Sequence, residues 1–242
     1  MKTSNRILLG LITILVLLPV LMLWGFRNKI ATNDFTVEKY GWSVNSNKEM
    51  PLTASRFIKL QAPDSTDMHC QLMFGGNDHY QLNRYDTDDS LAVIQVADTL
   101  FFRFIPAARE VGNHENPELY FNLYLSAAPP IFADGVDISV DSMGRADSLQ
   151  VHLVNNSSID LGNDVSRDKQ IQYGNISVTA DNSKITLYPK LNMQSLNVTL
   201  TGNASLDIDK EAKIGKVSGT VSPNAMVNGP ASYMYQLLFD HN

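Results

Sequence analysis

The stretch SLNVTLTGNASLDI, residues 195–208, contains two runs in which apolar and polar residues alternate, separated by a Gly-Asn corner. Alternation with a period of two is typical of a β-strand that buries one face. Glycine and asparagine both tolerate the left-handed backbone that a sharp corner needs. The stretch therefore predicts a strand, a tight corner and a second strand.

The same unit recurs through the second half of the chain. Its corner asparagines lie 26, 21 and 21 residues apart: Asn156, Asn182, Asn203 and Asn224. In the second unit the apolar residues before the corner are displaced by one position, which a bulge or a shortened corner would absorb. A fifth, degenerate unit with Ala128 in the corner position precedes these four.

Repeats of this kind predict a stacked architecture, because one unit cannot bury its own apolar face. Strands stacked at about 4.8 Å would merge their inward side chains into one core. We predict a mainly β fold, a right-handed parallel β-helix or β-solenoid over residues 56–238. Its parts would be leading strands over 56–118, repeats over 119–229 and a C-terminal cap strand over 231–239. A β-sandwich with evenly spaced hairpins is the alternative.

The cap strand is strongly apolar, with the sequence YMYQLLF over residues 233–239. Closing the open end of a solenoid is its structural interpretation. A docking surface for another copy or for a partner is the functional alternative. Truncation after Pro230 would distinguish the two.

The repeats resemble the auto-transporter adhesin head GIN domain family, in which short Leu- and Val-rich units stack into a β-helix. The resemblance covers about residues 55–238 and is carried by SLQVHL (148–153), by residues 195–208 and by VSGTV (217–221), with FIKL (57–60) and ADTL (97–100) in the leading strands. The family usually has glycine just before each corner, and here only Gly202 keeps it. The resemblance implies an adhesion role and supplies no catalytic residues.

Residues 7–26 form a separate apolar segment, ILLGLITILVLLPVLMLWGF, without a charged side chain. As a helix it would be about 30 Å long, the thickness of a bilayer core. We predict an uncleaved anchor within residues 1–30 that contacts the lipid bilayer, followed by a stalk over 31–55; a cleaved signal peptide is the alternative. Basic residues on both sides slightly favour a cytoplasmic N-terminus. This predicts a single-pass protein of a bacterial inner membrane with a periplasmic ectodomain.

Charge excludes one class of partner. All 25 acidic residues follow residue 33, and four of the 19 basic residues lie within the first 30, so the remainder carries 15 positive against 25 negative charges, a net charge of −10. Such a balance argues against nucleic acid, because nothing offsets the repulsion from phosphate. The single cysteine also excludes an intramolecular disulfide.

No catalytic motif is present: the sequence lacks GxSxG, HExxH, P-loop and CxxC patterns. We therefore expect no enzyme, no cofactor and no metal. His69, Cys70 and His79 are too few for a metal site, and Cys70 is expected to be buried. His152 is expected to point outward, into solvent.

Two groups of carboxylates leave alternatives open. Asp160 and Asp207 occupy the same outward position two strands apart, about 9.6 Å, near the roughly 6.5–9.5 Å of an inverting glycosidase pair. They could therefore serve a polysaccharide-active enzyme, although a solvated polar ladder is the simpler interpretation. Asp134, Asp137 and Asp141 lie in a predicted hydrophilic loop that could bind calcium.

Together these observations predict a membrane-anchored, extracytoplasmic module that binds or scaffolds without catalysis. Its expected partner is an envelope protein or a glycan, and not nucleic acid.

Overall fold

The computed structural model describes residues 49–64, 66–83, 90–106, 117–142, 147–163, 171–189 and 191–239. Within these ranges the alternating runs form strands, followed by one helix: β1 Met50–Pro51, β2 Phe57–Gln61, β3 Asp67–Phe74, β4 His79–Asn83, β5 Ser90–Val96, β6 Thr99–Ile105, β7 Glu118–Leu125, β8 Ile131–Asp134, β9 Val136–Ser142, β10 Ser148–Val154, β11 Ser158–Leu161, β12 Ile171–Asp181, β13 Lys184–Leu187, β14 Leu191–Thr201, β15 Ser205–Ile208, β16 Lys213–Val221, β17 Met226–Asn228 and α1 Ala231–Phe239.

The strands form two sheets. The nine-stranded sheet, here sheet A, has the order β1-β4-β7-β3-β9-β11-β13-β15-β17. The eight-stranded sheet, here sheet B, has the order β16-β14-β12-β10-β8-β2-β6-β5. Their inward side chains merge into one hydrophobic core, in which Phe102 of sheet B stacks on Phe121 of sheet A with ring centroids 5.6 Å apart. The apolar face of each strand is thus buried against the other sheet.

Within the repeats, parallel strands pair in register. The column Leu149, Ile176, Leu196 and Val217 runs across sheet B, and Ile159, Ile185, Leu206 and Val227 run across sheet A. The displaced second unit is absorbed by a shortened corner, since five positions separate Ala180 from Ile185 where six separate Leu200 from Leu206. Left-handed residues make the corners, with φ of 61° at Asn156, 49° at Asn182 and 60° at Gly202.

The predicted right-handed parallel β-helix, or β-solenoid, is wrong, because both sheets are mixed and the leading strands do not follow the winding order of the repeats. β4 runs antiparallel to β1 and β7, and β5 runs antiparallel to β6. β3 lies between β7 and β9, so the leading strands are inserted out of chain order. Alternation specifies which side of a strand is buried and leaves the neighbouring strand unspecified.

The degenerate unit over residues 121–133 also differs from the prediction. β7 belongs to sheet A and β8 to sheet B, whereas every later unit starts in sheet B. Ile131 pairs with Val151 of the first strand of the next unit, not with a residue after its corner. The repeat therefore begins at β8, and Phe121 belongs to the leading strands.

Residues 231–239 form helix α1 instead of the predicted cap strand. The apolar positions that contact the sheet, Tyr233 and Leu237, are four residues apart, which is a helical spacing. The helix lies on edge strand β16: the Tyr233 hydroxyl accepts a hydrogen bond from the Ile214 amide (2.9 Å), and Gln236 Oε1 accepts one from the Val217 amide (2.9 Å). These side chains accept hydrogen bonds from two backbone N–H groups that edge strand β16 would otherwise leave unpaired.

The predicted stalk and membrane span fall mostly outside the described residues, which begin at residue 49. The end of the stalk is part of the fold, since Met50 and Pro51 pair with β4. The predicted span, residues 7–26, is not described, and no helix in the described ranges is long and apolar enough to cross a membrane. The described residues do not support the prediction of a single-pass membrane protein with a periplasmic ectodomain.

Candidate functional site

A shallow groove of about 270 Å³ crosses the outer face of sheet A, over β3, β4, β7, β9 and β11. Nine outward side chains line it, and all of them are polar or aromatic: His69, Gln71, Asn83, Tyr120, Asn122, Asp137, Ser139, Asp160 and Asn163. Its floor is formed by the strands that bury Cys70, Phe121 and Ile138 beneath.

Strand alternation positions these groups. In β3 the inward residues are buried, so His69 and Gln71 face outward. The register then sets the neighbours, because His69 pairs with Tyr120 on one side and with Asp137 on the other. Residues directly opposite on adjacent strands are close enough for their side chains to interact.

Aromatic stacking fixes one wall of the groove. The His69 and Tyr120 rings stack with centroids 4.4 Å apart and an interplanar angle of 11°. A second pair, His79 of β4 and Tyr124 of β7, stacks beside the groove with centroids 4.2 Å apart and an interplanar angle of 8°. The rings hold one another in place across the sheet, which leaves a rigid polar and aromatic edge.

Amide side chains form the next part of the wall. Asn83 donates a hydrogen bond from Nδ2 to Asn122 Oδ1 at 2.7 Å, and the Tyr124 hydroxyl donates one to Gln81 Oε1 at 3.4 Å. These bonds orient the side chains and leave further donor and acceptor positions open, since a carboxamide has two donors and two acceptor positions.

The two groove carboxylates, Asp137 and Asp160, have different surroundings. Asp137 accepts a hydrogen bond from Ser158 Oγ at 2.6 Å and lies 3.5 Å from His69 Nδ1. Asp160 accepts a hydrogen bond from the Tyr188 hydroxyl at 3.4 Å. Burial raises the pKa of the Asp160 carboxyl above its ordinary value, and hydrogen bonds from Thr186 and Tyr188 oppose part of that rise.

Replacing Asp160 by asparagine should stabilise the protein at neutral pH. A raised pKa means that the folded state binds the proton more tightly than the unfolded state, so the free energy of unfolding falls as pH rises through that pKa. Because Asp160 is only half-buried, the gain should stay below about 1 kcal/mol. Urea unfolding at pH 7 and pH 4 measures it: Asp160→Asn should exceed the wild type at pH 7 and approach it at pH 4, and a constant difference would contradict the shift.

The predicted pair Asp160 and Asp207 does share an outward column, with Thr186 between them. The groove, however, brings Asp160 together with Asp137, and Asp207 lies beyond its lining. Asp207 instead accepts a hydrogen bond from Asn228 Nδ2 at 2.8 Å and lies 3.8 Å from Lys184 Nζ.

The predicted loop with Asp134, Asp137 and Asp141 is in fact β8 and β9, joined at Gly135. Asp134 belongs to sheet B, where it accepts a hydrogen bond from Asn155 Nδ2 at 2.7 Å, and Asp137 belongs to sheet A. Within the described ranges, no three His, Cys, Asp or Glu side chains are grouped as a metal site would require.

The cysteine and the histidines considered in the sequence analysis lie on different faces of the two sheets. Cys70 is buried in the core, as predicted, and burial raises the pKa of its thiol. His69 faces the groove on the other side of β3, and His79 Nδ1 lies 2.8 Å from the Asn77 carbonyl. His152 faces outward on sheet B, as predicted, where it stacks on Phe132 at 4.7 Å.

Sequence reasoning missed Asn83, Tyr120 and Asn122. The alternation in ELYFNLYL, residues 118–125, was a signal that could have placed Tyr120 and Asn122 on the outer face. Their position beside Asp137 depends on β7 and β9 both pairing with β3, which is a long-range fact.

The fold and the groove together define a two-sheet β protein with a polar groove on one outer face. No protein-family model matches the chain, and no curated protein matches it. One similar solved structure is described as that of "a putative cell adhesion protein from Clostridium sporogenes"; it is 11% identical, the match covers 75% of this chain and 96% of that chain, and the TM-score is 0.29. A similarity this weak supports no conclusion about fold or function. The resemblance to the head GIN domain family is unconfirmed.

Proposed function

We propose that this protein is a non-catalytic, adhesin-like binding module that holds a glycan in the groove on sheet A. The observation that supports this most is the lining of the groove, in which amides, a hydroxyl, carboxylates and stacked rings face solvent together. Sites of this kind combine a concave shape with a few placed polar groups that orient the ligand.

The chemistry of the lining suits a sugar. Asn83 and Asn122 offer donors and acceptors to hydroxyl groups, and Tyr120 offers an aromatic edge for the apolar side of a sugar ring. Asp137 and Asp160 are strong acceptors for hydroxyl donors. They would repel sulfated or uronic acid sugars, so the proposed ligand is a glycan without acidic groups.

The partners of the carboxylates support a binding role over a catalytic one. Asp137 is engaged by Ser158 and His69, and Asp160 by Tyr188. The raised pKa of Asp160 is the one observation that favours a hydrolase, because a general acid needs such a shift. Glycan turnover that disappears in Asp160→Asn would establish the hydrolase and refute the non-catalytic role.

Replacing Tyr120 by alanine should weaken glycan binding about tenfold or more, because the stack with His69 and the wall of the groove are lost together. The full chain is screened on a glycan microarray, and the dissociation constant for the strongest ligand is then measured by calorimetry for wild type and variant.

Phe132→Ala is the matched control, since Phe132 also stacks on a histidine, His152, but on the outer face of sheet B. Its affinity should equal that of the wild type. Equal losses in both variants would place binding elsewhere, and an array without any bound glycan would refute the proposed function.

A further inference from the structure

We propose that the groove is one part of a longer surface that binds a linear, β-1,4-linked polysaccharide lying across the strands of sheet A. This inference rests on the proposed glycan-binding function and names the form of its ligand. It concerns a row of outward side chains, here the polar ladder, that runs through the groove and continues over the repeats.

The polar ladder follows directly from the strand register. Each member pairs with the next across β4, β7, β3, β9, β11, β13, β15 and β17, in the order Gln81, Asn122, Gln71, Ser139, Asp160, Thr186, Asp207 and Asn228. All eight can form hydrogen bonds, and all are half-buried or exposed. The row therefore offers one polar group per strand along a continuous path.

The spacing of the polar ladder suits a sugar chain. Neighbouring strands lie about 4.8 Å apart, and an extended β-1,4-linked chain advances by a similar distance, about 5 Å, per ring. Successive rings of one chain would therefore meet successive members of the ladder. A chain with a much shorter advance per ring would lose this match after two or three strands.

A second outward row makes the surface wide enough for one chain. It lies two residues away along each strand, about 6.6 Å, and contains Tyr120, His69, Asp137, Ser158 and Lys184. Lys184 is 3.8 Å from Asp207, so the two rows are linked beyond the groove. The second row ends at Met226, an exposed apolar residue on the edge strand β17.

The nature of the surface favours a glycan over an extended peptide. A peptide that joins a sheet pairs with the free backbone groups of an edge strand. The polar ladder lies on the face of sheet A, where the strands already pair with one another and only side chains are presented. A ligand rich in hydroxyl groups can use those side chains directly.

Binding strength should therefore depend on chain length. Calorimetry with cello-oligosaccharides and N-acetylated chito-oligosaccharides of two to eight units should show affinity rising at least tenfold between two and six units for one of the two series, then levelling off. Thr186→Arg places a bulky side chain on the ladder just beyond the groove. It should make the six-unit and two-unit affinities equal, so that the tenfold gain with chain length is lost. The length dependence is the readout, because Thr186 also donates a hydrogen bond to Asp160 in the groove.

Thr199→Arg is the matched control, because Thr199 is also an outward, half-buried threonine in the middle of four parallel strands, but in sheet B. It should bind every length as the wild type does. Asn228→Ala, at the exposed end of the ladder, should weaken only the longest oligosaccharides and does not disturb the core.

The outcomes separate this inference from the proposed function. Equal affinity for two and six units, or array binding restricted to glycans without β-1,4 linkages, would overturn the extended surface while the groove keeps its glycan. An array without any bound glycan would overturn both. Equal effects of Thr186→Arg and Thr199→Arg would also overturn it, since the loss would then be general.

Discussion

Replacing Gly219 by alanine is expected to lower the free energy of unfolding by about 4 kcal/mol or more, enough to unfold a marginal domain. Gly219 lies in β16 opposite Val198 of β14, with a φ of 143° that side chains rarely adopt. A Cβ there would lie 1.8 Å from the Val198 carbonyl oxygen. The two strands would have to separate, and the core beneath Val217 would open.

Gly75→Ala isolates the backbone part of that cost. Gly75 has a similar φ of 129°, but a Cβ there meets nothing within 4 Å. Backbone strain alone should cost about 1–3 kcal/mol. Urea unfolding followed by circular dichroism compares the variants; equal losses would show that contact between β14 and β16 is looser than the structure indicates.

The repeats were readable from sequence because local rules determine them. Alternation places Leu149 and Val151 inward and His152 outward, and a corner asparagine such as Asn156 marks where each strand ends. The corners locate the units, and the apolar residues before each corner give the register, including the one-residue displacement before Asn182.

The leading strands were not readable, because their neighbours are chosen by packing across long stretches of chain. β3 and β7 carry the same alternation, and nothing local states that β7 lies beside β3 or that β4 runs antiparallel to it. The contact between Phe102 and Phe121 that supports this order joins different sheets. The groove could not be predicted for the same reason. Alternation gave the outward position of Asp160, but Tyr120 lines the same groove only because β7 pairs with β3.

The C-terminal segment shows the ambiguity of a short apolar run, which fits a strand or a helix equally well. Tyr235 resolves it, because a strand would direct it to the same face as Tyr233 and Leu237, whereas it is exposed and only those two contact the sheet. The same helix leaves Tyr235, Leu238 and Phe239 exposed on its other side. Different residues therefore cover the strand edge and present the apolar face, so separate substitutions can test the two roles.

Truncation after Pro230 should turn the protein into an aggregating or oligomeric species and destabilise it by several kcal/mol. Removing α1 exposes the core beneath Leu237, worth about 2–3 kcal/mol, and leaves the Ile214 and Val217 amides of an edge strand unpaired, at about 1 kcal/mol each. A bare strand edge then pairs with the edge of another copy. Analytical ultracentrifugation over a range of concentrations, together with urea unfolding, measures both effects.

The control changes the exposed side of α1 and keeps the covering contacts. A variant with Tyr235, Leu238 and Phe239 replaced by serine should remain monomeric and lose less than about 1 kcal/mol, because all three side chains are exposed. If the triple variant loses an association that the wild type shows while the truncated chain stays folded and monomeric, α1 is a docking element. If the truncated chain associates and the triple variant stays monomeric, the helix protects β16, because the uncovered strand edge is the feature that the truncated chain has and the triple variant lacks.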